Sequence, residues 1–144
     1  MTGQARPAPS PAVIAVVIHD DRALLVRRAN PPDAGLWGFP GGKIDYGETV
    51  AAAALRELQE ETGVQAEARE IITALDIFDH DDSGRLLYHY ILLAVRCEYV
   101  SGVPEAGDDA LEARWIPITE LDPRRLPMSA DVDVIARRAH QMKA

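Results

Sequence analysis

Apolar and polar residues in this 144-residue chain fall into blocks of two different periods. Residues 12–18 (AVIAVVI) form one unbroken apolar run, residues 23–27 (ALLVR) a second, and the polar tetrad His19-Asp20-Asp21-Arg22 separates them. Two short β-rich runs around such a turn predict a hairpin. Ahead of it, residues 1–11 (MTGQARPAPSP) can bury little and predict a loose tail. Residues 30–35 (NPPDAG) break structure, and residues 36–42 (LWGFPGG) form a short segment bounded by turns. From Thr49 to Thr62 the period changes. Four consecutive alanines, Leu55 and Leu58 toward one side, a threonine at the start and Gly63 at the end predict a helix. Strand-like runs follow at 71–78 and 86–100 around the polar turn 80–85 (HDDSGR), with another at 112–118. Residues 129–142, with Val132, Ile135, Ala136 and Ala139 near helical spacing, predict a closing helix. No repeat or linker interrupts this order, which predicts one mixed α/β (α+β) domain over residues 12–144.

Composition narrows the class. With 47% hydrophobic and 26% charged residues, the chain is an ordinary globular one, which excludes collagen-like, coiled-coil and globally disordered architectures. Fifteen Lys plus Arg stand against 23 Asp plus Glu, for a net charge of −8. Such a field repels polyphosphate backbones, so no nucleic-acid partner is expected. An acidic protein that handles phosphates needs metal ions to bridge the like charges. The single cysteine, Cys97, rules out an intramolecular disulfide framework and a cysteine zinc site, and its apolar surroundings predict a small core residue. The 12–18 run is far short of the roughly 20 residues that cross a bilayer. It is followed by His19-Asp20-Asp21 instead of a cleavage pattern, so a cytoplasmic protein without membrane association is expected.

The chemistry concentrates in residues 42–64, GKIDYGETVAAAALRELQEETGV. On a helix at about 100° per residue, Glu60 falls about 60° to one side of Glu57 and Glu61 about 40° to the other, so three carboxylates share an arc of roughly 100°. Leu58, Thr62, Ala51 and Leu55 form the apolar side. Like charges at this spacing repel, and acids near Gly63 oppose the helix dipole. Arg56 is the only cation between Thr49 and Val64. Read alone, the cluster is a wet helix face or a set of hard oxygen ligands for Mg²⁺ or Mn²⁺. The Gly41-Gly42 pair favours the second reading, because it lets backbone approach a ligand closely. Glu48 stands just before the helix, where an acid suits the positive end; a cap there and the orientation of a metal-activated water are both open. Arg56 suits the role of holding the carboxylates through its planar fork.

This stretch resembles the Nudix box, G-x5-E-x7-R-E-U-x-E-E-x-G-U with U aliphatic. Gly42, Glu48, Arg56, Glu57, Leu58, Glu60, Glu61, Gly63 and Val64 fill every fixed position. The resemblance implies an α/β/α sandwich, a mixed β-sheet between helices, and hydrolysis of a nucleoside diphosphate linked to another group. It implies Glu57, Glu60, Glu61 and the Gly41 carbonyl as metal ligands. Two or more Mg²⁺ ions (Mn²⁺ as the alternative) would clamp the diphosphate and lower the pKa of a bound water. Glu57 or Glu61 is implied as general base, or an auxiliary acid from the loop before the 112–118 strand: Asp109 first, then Glu105 and Asp108. The plain alternative for that loop is a solvated acidic turn.

Outside the box several side chains have two readings. Arg27 and Arg28 face water or bind substrate phosphate. Trp37 packs or stacks on a base or ribose. Asp131 caps the last helix or contacts the base, as in MutT-like relatives. His80 and His89 lack metal-ligand spacing and read as structural. The segment LWGFPGGKIDYGET is similar to small bacterial enzymes acting on ADP-ribose or nucleotide sugars, so the expected partner is a small nucleoside diphosphate derivative. One ADP-ribose subgroup carries a proline after the box, and residues 73–82 have none. A MutT-like nucleoside triphosphate pyrophosphatase is the alternative. A sensing module that binds without cutting usually loses box acids, and this chain keeps all of them. Homodimers are common in the family, although no interface can be read from one chain.

Overall fold

The computed structural model describes residues 7–31 and 33–142. Its elements are β1 (Ser10–His19), β2 (Arg22–Arg28), β3 (Trp37–Gly38), β4 (Gly41–Lys43), α1 (Val50–Thr62), β5 (Gln65–His80), β6 (Leu86–Ser101), β7 (Ala110–Pro117), a 3₁₀ turn (Ile118–Glu120) and α2 (Val132–Met142). The strands form a mixed sheet in the order β3-β2-β1-β6-β5, with β4 joined to β1 and β7 to β2. β1 runs parallel to β6, and every other pairing is antiparallel.

The unbroken apolar run of β1 follows from burial on both faces. Val13, Ala15 and Val17 point to a core shared with Ala53, Ala54 and Leu58 of α1. Ile14, Val16 and Ile18 point to the other core, which holds Val132, Ile135, Ala136 and Ala139 of α2. Helices therefore cover opposite faces of one mixed sheet, the sandwich implied by the box. Cys97 is buried in the α1-side core, and burial pushes its thiol up to about 11.

Element boundaries differ from the expectation in instructive places. Ser10 and Pro11, assigned above to the tail, are the first residues of β1, paired with Tyr90 and Ile91; residues 1–6 of that tail lie outside the described residues. β5 begins at Gln65, six residues before the expected start. Its opening residues, Gln65 to Glu70, alternate only through the small Ala66 and Ala68, which pack on the α1-side core but announce a strand weakly. Cross-strand charge pairs add to the hold: Arg69 with Glu98, and Glu70 with Arg96 at 2.5 Å. α2 starts at Val132, not at residue 129, because Ser129 is tied to Trp37 through its N–H (2.9 Å).

α1 starts as its sequence requires. The Thr49 hydroxyl accepts from the Ala52 N–H (3.0 Å), and Gly63, with φ 74°, closes the other end by donating to the Gln59 carbonyl (2.8 Å).

Candidate active site

Arg56 is the hub. From the exposed side of α1 its Nε donates to Glu48 Oε2 at 2.7 Å and its Nη2 to Glu48 Oε1 at 2.9 Å, a bidentate fork. Nη1 donates to Glu57 Oε1 at 2.6 Å and reaches Glu60 at 3.4 Å. Nη2 also donates to the Lys43 carbonyl at 3.1 Å and pairs with Asp45 at 3.6 Å. One guanidinium thus fixes the loop after β4, the residue before the helix and two acids on the helix. The Arg56 hydrogen bonds, with the Asp45 N–H, hold the Glu48 carboxyl down at about 2. The same contacts raise the guanidinium above its ordinary value. Glu48 therefore serves as neither a helix cap on its own nor an isolated acid: it is the anchor of Arg56. Neither Asp45 nor the Lys43 carbonyl carries a sequence signal for this network, although Asp45 sits three residues before Glu48 and its N–H bonds Glu48 (3.1 Å).

The glycine ribbon packs on the other side of the acids. The Gly41 N–H donates to Glu61 Oε2 at 3.0 Å. A Cβ at Gly42 would lie 2.4 Å from Glu57 Oε2, and one at Gly41 would lie 2.2 Å from the Val13 carbonyl. Backbone approach requires glycine at Gly41, whereas Gly42 leaves room for the Glu57 carboxylate, and neither has a left-handed backbone that would otherwise explain it. Burial pushes the Glu61 carboxyl up to about 8, with the adjoining Glu57 carboxylate adding to the rise; the Gly41 N–H and the Arg28 charge oppose it. Glu57, Glu61, Gly41 and Arg28 thus share one locality. Glu60 sits at its edge, with its side chain 43% exposed. Among the described residues no three His, Cys, Asp or Glu side chains converge as a ready-made cation set; the acids close on Arg56 and on the Gly41 N–H.

A cavity of about 590 Å³ opens beside the ribbon. Gly41, Gly42 and Lys43 form one wall, Arg28 another, and the floor is apolar, with Leu75, Ile77, Tyr90 and Leu92 from the β5–β6 arm and Val132 and Ile135 from α2. Composition and periodicity carry no signal for this floor, because it exists only once β5 and β6 pair (Ile77 opposite Tyr90, Leu75 opposite Leu92).

The side chains outside the box divide sharply. Arg28 lines the cavity, whereas Arg27, its neighbour, pairs with Glu112 (Nη2 to Oε1, 3.0 Å) and does not. Trp37 is 4% exposed and lies in the α2-side core, with the Arg114 guanidinium 5.0 Å from its ring centroid. The stacking role considered for it is corrected: no ring face is left for a base. Asp131 is exposed and absent from the cavity wall, with a left-handed φ of 66° and its carbonyl accepting from Ile135 (2.9 Å) at the start of α2. Asp109, at the end of the loop before β7, is exposed, and its carboxylate accepts from the Asn30 amide (3.1 Å). His89 pairs with Asp76 (3.1 Å) and lies against Phe78, a structural setting.

A helix of acids locked by one arginine thus faces a glycine ribbon, and that ribbon lines a cavity in an α/β sandwich. The NUDIX domain family matches residues 8–137, and the chain belongs to that family. It is 34% identical over 113 residues to an ADP-ribose pyrophosphatase of Methanocaldococcus jannaschii, covering 78% of this chain and 64% of that protein. The chain thus spans a little under two thirds of that relative's length. Among solved structures it is similar to a MutT NUDIX hydrolase from Burkholderia pseudomallei (TM-score 0.77, 28% identity, 91% of this chain and 98% of that one). It is also similar to the NUDIX domain of Shewanella oneidensis NrtR, solved in complex with ADP-ribose (TM-score 0.76, 25% identity, 94% and 89%).

Proposed function

We propose that this chain is a divalent-metal-dependent pyrophosphohydrolase that cuts the diphosphate of a small nucleoside diphosphate derivative, ADP-ribose or a nucleotide sugar. The observation that carries the reading is that Glu57 and Glu61 lie against the Gly41-Gly42 ribbon, and that the ribbon and Arg28 line one largely apolar cavity. The relative named ADP-ribose pyrophosphatase and the neighbour solved with ADP-ribose support the choice of substrate class. One domain spanning residues 12–144, in the cytoplasm, belongs to the same proposal.

The donor set fits Mg²⁺ or Mn²⁺. Glu57, Glu60 and Glu61 offer hard carboxylate oxygens within one and a half turns, and the Gly42 cradle that a Cβ would fill keeps backbone against Glu57. With the Gly41 carbonyl these are the residues that would hold the cation, which supplies positive charge against the diphosphate and a more acidic water. The rest of the work belongs to the chain. Arg28 draws the diphosphate to the ribbon as a planar, permanently charged donor. The apolar floor takes the nucleoside and excludes water. Arg56 keeps Glu57 and Glu48 from rotating away, so positioning precedes binding. Glu57 or Glu61, or Asp109 from the loop before β7, takes the proton from the attacking water.

A hydrolysis screen tests this. ADP-ribose, nucleotide sugars, dinucleotides and normal and oxidised nucleoside triphosphates are offered with Mg²⁺ and then with chelator, and the released products are identified. Nucleoside monophosphate from ADP-ribose is expected, abolished by Glu60→Gln and by Glu61→Gln. Pyrophosphate from a triphosphate alone would replace the reading with a MutT-like one. Binding without turnover would make the chain a sensor.

A further inference from the structure

An α-helix leaves its last four carbonyls without partners inside the helix. In α1 those belong to Gln59, Glu60, Glu61 and Thr62, the turn that carries the acids. All four are bonded. Gln59 O accepts from Gly63, as a left-handed C-terminal residue provides. The other three accept from one loop, residues 102–109 between β6 and β7: Glu60 O from the Asp108 N–H (3.2 Å), Glu61 O from Gly107 (2.9 Å) and Thr62 O from Glu105 (2.9 Å).

The contact is close enough to select its residue. A Cβ at Gly107 would lie 2.1 Å from the Glu60 carbonyl oxygen, backbone against backbone. Gly107 has no left-handed φ to account for it otherwise. The far end of the loop is tied too: Asp109 accepts from the Ala29 N–H (3.0 Å) and from the Asn30 amide (3.1 Å), immediately after Arg28. The loop therefore joins the acid-bearing end of α1 to the strand end whose arginine lines the cavity. Its three N–H groups also offset the negative end of the helix where the acids crowd.

We propose that Gly107 is a positioning residue, which through the 102–109 loop sets Glu60 and Glu61 against Gly41 and the Arg28 strand end, so that cation occupancy at the acids and order in the loop are coupled. The inference rests on the reading of those acids as the cation site. Alanine at Gly107 must displace the loop or the Glu60 peptide by about 1 Å, because real contacts stop near 3.0 Å. A misplacement of that size costs up to ~10²-fold in turnover. Coupling is reciprocal, so the cation must also steady the loop.

Two measurements test it on the whole chain. In the unmodified protein, Mg²⁺ should slow hydrogen exchange at the Glu105, Gly107 and Asp108 amides by about tenfold or more, on the scale of ordinary coupling free energies. In Gly107→Ala, Mn²⁺ affinity, read by electron paramagnetic resonance without substrate, should fall about tenfold, and kcat should fall with KM nearly unchanged. Asn30→Ala, which loosens only the far anchor, should shift both in the same direction by less. Val103→Thr, at an exposed loop position, should shift neither. If the unmodified chain binds no Mn²⁺, the cation-site reading falls and this inference with it. If it binds Mn²⁺ but loop exchange does not respond and Gly107→Ala binds equally well, only this inference falls. Should Gly107→Ala fail to fold, the exchange experiment decides.

Discussion

Glu61 is the acid whose environment differs most from water, and its replacement by glutamine in the chelated protein has a calculable signature. The folded carboxyl titrates near 8 against an ordinary 4.5, chiefly through burial. At 1.36 kcal/mol per pH unit this sets a ceiling of about 5 kcal/mol. Protein sites respond with a higher effective dielectric than a dry interior, so roughly 1–2 kcal/mol is the expected effect. The sign follows from linkage. A folded value above the unfolded one means stability that is complete below about 4.5 and lost as pH rises through about 8. Glutamine stays neutral and can still accept from the Gly41 N–H. In EDTA, therefore, the unmodified protein should lose roughly 3–8 °C of melting temperature relative to Glu61→Gln between pH 5 and pH 9. The Glu48 carboxyl, held at about 2, acts in a separate window below 4.5 and does not confuse the comparison. Thermal melts by circular dichroism across that range provide the assay. Parallel curves for the two proteins, or a larger alkaline loss in Glu61→Gln, would refute the account. Mg²⁺ should restore the alkaline stability of the unmodified chain and leave that of Glu61→Gln unchanged.

Three further outcomes follow from the geometry. Gly42→Ala brings a Cβ to 2.4 Å from a flexible carboxylate end, so turnover should fall roughly 10–100-fold while the melting midpoint moves little; a midpoint drop matching that of a core truncation would contradict the assignment. Trp37→Ala removes a core side chain, and urea titration should show a loss of about 3–5 kcal/mol, with KM in the surviving folded fraction unchanged; a selective KM rise would revive the stacking role. Arg28→Ala should raise KM for the diphosphate substrate roughly 10–100-fold through loss of charge-assisted hydrogen bonds. Arg27→Ala, which breaks only the Glu112 pair, should leave KM nearly unchanged, and steady-state kinetics on both variants tells the two apart.

The parts of the molecule legible in the chain are those whose cause is local. The period of β1, the caps of α1 and the acid spacing of residues 57–61 each depend on residues within a few positions of one another, and all are where their pattern puts them. The settings that the chain does not announce share the opposite property. Nothing near Trp37 says that Pro127 and Ser129 will bond its backbone and close the core over its ring. Nothing near Asp109 says that Asn30, 79 positions away, will take its carboxylate. Arg27 and Arg28 are indistinguishable as a dipeptide; they differ because β7 pairs with β2 and places Glu112 opposite Arg27. The early start of β5 is hidden for a related reason: its alternation runs through the small Ala66 and Ala68, a weak signal, and its charge pairs are with β6, roughly 30 positions away.

The acid cluster itself shows why local rules and function part company at this site. Three carboxylates at the negative end of a helix, in a chain of net charge −8, oppose folding twice over. The fold answers with donors drawn from four separate places: Arg56 from the helix, the Gly41 N–H from β4, the loop amides from residues 105–108 and the Arg28 charge from β2. The compensation is incomplete. Arg56 engages Glu57 at 2.6 Å but reaches Glu60 only at 3.4 Å, and Glu61 keeps its proton up to about 8. A helix selected for stability alone would place lysines among these acids, as mixed i, i+4 pairs do elsewhere. The unmet demand for positive charge falls on Glu60 and Glu61, at the edge of the glycine ribbon, and a divalent cation is the species whose charge and oxygen preference meet it.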